Sequence, residues 1–98
     1  MGTDETQIKI FQMKSVLTFE LSAKSEELFI HGDSAGLRFL AGKLNHLADK
    51  LDKGHPDHEH LMTEEWAGNE LNSVVQGNDT KLLNHVKIYA RPTADFRV

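Results

Sequence analysis

Hydrophobic and polar residues alternate, then change period, then alternate again along this chain. Gln7 to Gln12 reads Q-I-K-I-F-Q, with Ile8 and Ile10 spaced two apart, the period of a strand. Val16 to Leu21 repeats the pattern more clearly: Leu17, Phe19 and Leu21 fall on one face, Thr18 and Glu20 on the other. Ala23-Lys24-Ser25 makes a polar turn, and Glu27 to His31 gives a further strand that Gly32 ends, so a hairpin is expected here. The period then shifts. Leu37, Leu40, Leu44, Leu47 and Leu51 recur at alternating spacings of 3 and 4, with Ala41 and Ala48 beside them, and Arg38, Lys43, Asn45, Asp49 and Lys50 off the stripe. This is an amphipathic helix. Asp33 or Ser34 can cap its N-terminus by accepting from an unpaired backbone N–H. Lys50 and Lys53 suit its C-terminal end, Gly54 suits a left-handed cap, and Pro56 prevents continuation. The stripe spans about two heptads, too few for a coiled coil, and reads as core.

Beyond the helix, His58 to Met62 and Glu70 to Val75 read as short strands. Glu64 to Asn69 and Gln76 to Thr80 read as turns. Leu82 to Ala90 reads as one strand, with Val86, Ile88 and Ala90 alternating against Lys87 and Tyr89, and Pro92 ends it. The order, strands then helix then strands, predicts an α+β domain. One long amphipathic helix packs on a mostly antiparallel sheet of four to six strands, ββ(β)-α-ββ(β). The opposite sheet face would carry Lys9, Thr18, Glu20 and Lys87 and stay open for binding.

Ninety-eight residues form a single domain, 1–98, with polar ends at 1–6 and 92–98 expected to fray. A hydrophobic fraction of 39% supports a modest core. The absence of cysteine excludes disulfides, iron–sulfur clusters, zinc fingers and thiol chemistry. No apolar run is long enough to span a membrane, and Met1 to Thr6 is too polar and acidic for a secretory signal, so a cytoplasmic protein is expected. Met1-Gly2 with Thr6 fits the myristoylation pattern in form, but Asp4 and Glu5 follow and no polybasic patch supports an anchor.

Charge is unevenly spread. The net value is −4, which argues against a nucleic-acid partner. Every Lys and Arg lies at or before Lys53, or at or after Lys81, while Gly54 to Thr80 holds Asp57, Glu59, Glu64, Glu65, Glu70 and Asp79. An acidic middle can be a solvated loop, or a surface that steers a basic protein partner. Trp66 lies within it, as a core residue or as an interface anchor. The partner-binding candidates are therefore Asp57, Glu59, Glu64, Glu65, Trp66 and Glu70.

A second signal overlaps the first. His55, His58 and His60 fall within six residues. In an extended chain His58 and His60 project from one face, and Glu64 or His55 can complete a shell around a divalent metal such as zinc or nickel. The spacing His58-x-His60-xxx-Glu64 resembles the first motif of cupins. The framing glycines are missing, however, no second histidine motif follows, and a long helix is out of place in a small jelly roll. A polar loop of hydrogen-bonded, pH-sensitive histidines is the plainer reading. His46 falls on the helix's polar side, and His31 and His85 read as structural strand residues. No nucleophile elbow or phosphate loop is present.

The run Phe29-Ile30-His31-Gly32-Asp33-Ser34-Ala35-Gly36-Leu37 leads from a strand into a helix. Leu40-Ala41, Leu44, His58-Glu59-His60-Leu61 and a closing strand at Val86 to Tyr89 follow in order. Over residues 28 to 89 this resembles small bacterial immunity proteins predicted from polymorphic-toxin gene clusters. The resemblance implies a cytoplasmic, non-enzymatic protein that needs no cofactor and blocks a cognate toxin, with His58, Glu59 and His60 at the matching polar positions. An acidic inhibitor can fill the basic cleft of a nuclease-type toxin. Two other classes compete with this reading: a small metal-binding protein or metal-dependent enzyme using His55, His58, His60 and Glu64, and an adaptor with no site of its own.

Overall fold

The computed structural model describes residues 15–97. The strand expected at Gln7 to Gln12, and Lys9 with it, lies outside them. The chain runs β1 (Leu17–Ser22), β2 (Leu28–Gly32), α1 (Ser34–Asp52), β3 (Asp57–Met62), a 3-10 turn (Glu64–Trp66), β4 (Thr80–Leu82), β5 (His85–Ala90) and a second 3-10 turn (Thr93–Asp95). The α+β class and the antiparallel pairing agree with the sequence reading. The tail, read as frayed, carries that last turn. Strands divide between two sheets, a three-stranded one ordered β2-β1-β4 and a two-stranded β3-β5 ribbon.

β1 and β2 form the expected hairpin, pairing Leu17 with Gly32 through Leu21 with Leu28. Ser22 Oγ accepts from the N–H groups of Glu26 and Glu27 and closes the turn, in which Ser25 takes a left-handed φ of 56°. Helix α1 begins at Asp33, whose carboxylate accepts from Gly36 N–H at 2.7 Å. Gly36 is required for a steric reason: a Cβ there would sit 1.8 Å from the Val16 carbonyl oxygen, so the first helical turn rests directly on the chain entering β1. At the other end Gly54 adopts φ 84° and its N–H, with those of Lys53 and His55, satisfies the last carbonyls of the helix.

The core is small. Leu17, Phe19, Leu61 and Leu71 are buried together, with Leu40, Leu83, Val86 and Ile88 packed against them. Of the leucine stripe only Leu47 is buried, while Leu37 and Leu44 are 48% and 45% exposed. The stripe is thus wider than the surface that covers it among the described residues. Two salt bridges tie the helix to β3 instead: Lys43 to Glu59 at 3.3 Å, and Lys50 to Asp57.

Three strand assignments change. Thr18 and Glu20 were expected on an open face, yet both are fully buried. The chain from Asn72 to Thr80 folds over them because Glu20 holds it. Its carboxylate accepts from Gln76 N–H and Gly77 N–H, both at 3.0 Å, and from the hydroxyls of Thr18 and Thr80, both at 2.7 Å. Burial pushes the Glu20 carboxyl up, but these four donors outweigh it and hold it at about 2. Neighbouring His31 has a structural place but not a satisfied one: its Nε2 is buried without a hydrogen bond, 3.9 Å from Glu20 Oε1.

Glu70 to Val75 forms no strand. Leu71 plugs the core beside an isolated bridge to Thr63, and Asn72 brackets Leu17, accepting its N–H and donating to its carbonyl. Val74 and Val75 are left exposed. The single strand expected from Leu82 to Ala90 is broken at Leu83–Asn84, where the chain changes sheets. Leu83 N–H donates to Phe19 in the first sheet, while Asn84 O accepts from Thr63 N–H beside the second.

Candidate functional site

The β3–β5 register sets His58 opposite Tyr89, His60 opposite Lys87 and Met62 opposite His85 on one face. The intervening residues, Asp57, Glu59 and Leu61 with Val86, Ile88 and Ala90, alternate to the other face. This second face meets the helix and core. The first lies outward, and its histidines, lysine and tyrosine are exposed.

The outward face is an array of rings. His60 and His85 stack with centroids 4.9 Å apart, and His60 Nδ1 lies 2.7 Å from His85 Nε2. One of these nitrogens must carry the proton and the other must offer its lone pair. His58 meets His60 edge-on at 4.8 Å and tilts over Tyr89 at 5.8 Å. Trp66, 54% exposed, extends the array past His85 at 6.0 Å. Lys87 Nζ sits 4.7 Å above the Tyr89 ring and the Arg91 guanidinium 5.1 Å from it. Desolvation among these rings lowers the His60 pKa, repulsion from His58, His85 and Lys87 adds to that, and Glu59 partly offsets it.

The candidates named from sequence therefore separate. His58 and His60 come together as their alternation required. His55 does not join them: it lies exposed in the turn after α1, its N–H donating to Lys50 O. Glu64 sits on the exposed 3-10 turn with Glu65 and Trp66. Among the described residues no group of three or more His, Asp or Glu is arranged to hold a metal ion. The acidic candidates also divide. Asp57 is held below the usual carboxylate range by Lys50 and by its bond from His58 N–H, and Glu59 is paired with Lys43. Glu70 accepts from Met62 N–H at 3.0 Å, and the Ser73 hydroxyl lowers Glu65. Trp66 is no core residue. The partner missed by sequence reading is His85, 25 residues from His60. Its visible signal was the polar and aromatic alternation His85-x-Lys87-x-Tyr89, which mirrors His58-x-His60 once the two strands are paired.

The family model described as Immunity protein 32 matches residues 27–86, more than half of the chain. The chain belongs to this immunity-protein family. The match begins at the end of the first hairpin turn and reaches into β5, so it includes the helix, β3, Trp66 and His85. No curated protein and no solved structure matches the chain. No helix among the described residues is long and apolar enough to cross a membrane.

Proposed function

We propose that this protein neutralises a cognate bacterial toxin by binding it in the cytoplasm, without catalysis of its own. The observation that carries this reading is the immunity-family match across residues 27–86. The chemistry of the ring cluster supports it. The imidazoles of His60 and His85 bond to each other rather than to a nucleophile, and nucleophile–base–orienter geometry is what catalysis by such groups would require. What the cluster offers instead is exposed aromatic surface with hydrogen-bonding edges, the composition of a protein-binding patch.

Charge bears on the partner. An inhibitor of a basic toxin would need the carboxylates of the middle segment turned outward. Asp57 and Glu59 face the helix in salt bridges, whereas Glu64 and Glu65 are exposed on the turn. The direct test is co-expression, in a bacterial host, of this protein with its cognate toxin domain. Growth restored by the protein, and not by an unrelated protein of equal expression, is the expected result. Toxicity undiminished by abundant folded protein would overturn the reading.

A further inference from the structure

We propose that the outward face of the β3–β5 ribbon is the toxin-docking surface, and that it receives an acidic segment of the toxin. This rests on the immunity reading above and adds to it a place and a chemistry. The β3–β5 register decides which charges the ribbon exposes. Both carboxylates of the ribbon, Asp57 and Glu59, lie on the helix side and are neutralised there by Lys50 and Lys43. The outward face carries His58, His60, His85, Lys87 and Tyr89, with Trp66 at its end, and no carboxylate of either strand. Among the described residues neither Lys87 nor Arg91 has a carboxylate partner, and both rest on the Tyr89 ring. Their charge is held over an aromatic platform, and no carboxylate among the described residues pairs with it. An incoming carboxylate supplies the balance.

The aromatic part is equally specific. Trp66 and Tyr89 are 54% and 49% exposed, a large apolar area to leave in water on a domain with so small a core. Tilted contacts with the His58 and His85 imidazoles restrict the Tyr89 and Trp66 rings, so less conformational entropy is lost when a partner covers them. Beside Trp66 and His85 lies a depression of about 400 Å³ with Lys81 in its wall, large enough for one anchoring side chain and placed to pair with an acidic one. Among the described residues this face offers a nucleic acid three cations, Lys81, Lys87 and Arg91. A short acidic stretch of protein matches a few cations better than a continuous phosphate backbone does.

The test is an NMR titration of the isotope-labelled full chain with a deca-glutamate peptide at low salt, with deca-lysine and a short single-stranded oligonucleotide as parallel probes. Deca-glutamate should shift the amides of β3, β5 and Trp66, with binding about tenfold weaker in the Lys87→Glu variant and weakened by added salt. Shifts caused by deca-lysine at Glu64 and Glu65, with none from deca-glutamate on the ribbon, would overturn the proposal. Tighter binding of the oligonucleotide to the same face would overturn it too. A folded Lys87→Glu/Tyr89→Ala protein should also protect less well in co-expression. Undiminished protection by that variant would sink the docking face while leaving the immunity reading intact, and failure of the wild type to protect would sink the immunity reading itself.

Discussion

Replacing Glu20 by Gln removes the charge that pins the Asn72–Thr80 segment over β1 while keeping the side chain's size. The carboxylate spreads four accepted bonds over two oxygens, with Gln76 N–H and Thr18 on Oε2, and Gly77 N–H and Thr80 on Oε1. An amide has one oxygen. Whichever way it turns, its NH2 faces a backbone N–H, and the threonine hydroxyls can rotate but the backbone cannot. One buried N–H left unpaired costs about 1–3 kcal/mol. Linkage weighs the same four bonds in another way: a carboxyl that titrates at about 2 folded and 4.5 unfolded contributes about 3 kcal/mol at neutral pH. The two routes overlap at about 3 kcal/mol, a large share of the roughly 5–15 kcal/mol expected for a domain. The sign follows from the lowered folded pKa. The contribution is fully present above pH 4.5 and is lost as pH falls through that value toward 2. Urea unfolding, followed by circular dichroism from pH 7 down to about 2.5, should therefore show two curves that converge with acid. A gap below about 1 kcal/mol at neutral pH, or one that stays constant with acidification, would refute the assignment of Glu20 as the buried clamp.

Other outcomes follow from the packing and the site. Gly36→Ala should destabilise severely or prevent folding, because its Cβ would fall 1.8 Å from Val16 O; thermal unfolding near wild type would contradict the close approach. Leu47→Ala should cost about 2–5 kcal/mol and Leu44→Ala less than about 1 by chemical denaturation, since the first is buried and the second 45% exposed; equal losses would mean Leu44 is covered. Elemental analysis of untagged protein should find no stoichiometric metal, and zinc or nickel should leave the melting temperature unchanged, as no three-ligand group exists among the described residues. A shift lost in His60→Ala would restore the metal reading.

The helix was legible almost to the residue. Asp33 and Gly54 are local signals that act in the structure as their chemistry suggests, while the leucine spacing marks the helix but not its burial, since Leu37 and Leu44 are exposed. Strand alternation misled at β1, because alternation shows two faces and not what covers them. Thr18 and Glu20 look like solvent residues until Gln76 and Gly77, more than fifty residues away, bring their N–H groups to the carboxylate. The break at Leu83–Asn84 was hidden for a similar reason: Leu82 and Leu83 pair with the first sheet while Asn84 bonds beside the second, and a sequence window reads them as one strand. The cluster was half visible. His58 and His60 share a face by period alone, but His85 and Tyr89 reach them only through the β3–β5 register. The acidic middle was real as composition, yet Lys43 and Lys50 come from the helix to neutralise Glu59 and Asp57, a pairing that no stretch of sequence displays.

The central claim is that this chain acts by occupying a toxin, molecule for molecule. Titrating the purified protein into a fixed amount of the active toxin domain against which it protects measures that directly. The account predicts that toxin activity falls in proportion to added protein and reaches its floor near one equivalent, with both chains intact and recoverable as a complex. Inactivation by a small fraction of an equivalent, or covalent change in the toxin, would reveal a catalyst. Activity unchanged at excess protein would contradict the account outright.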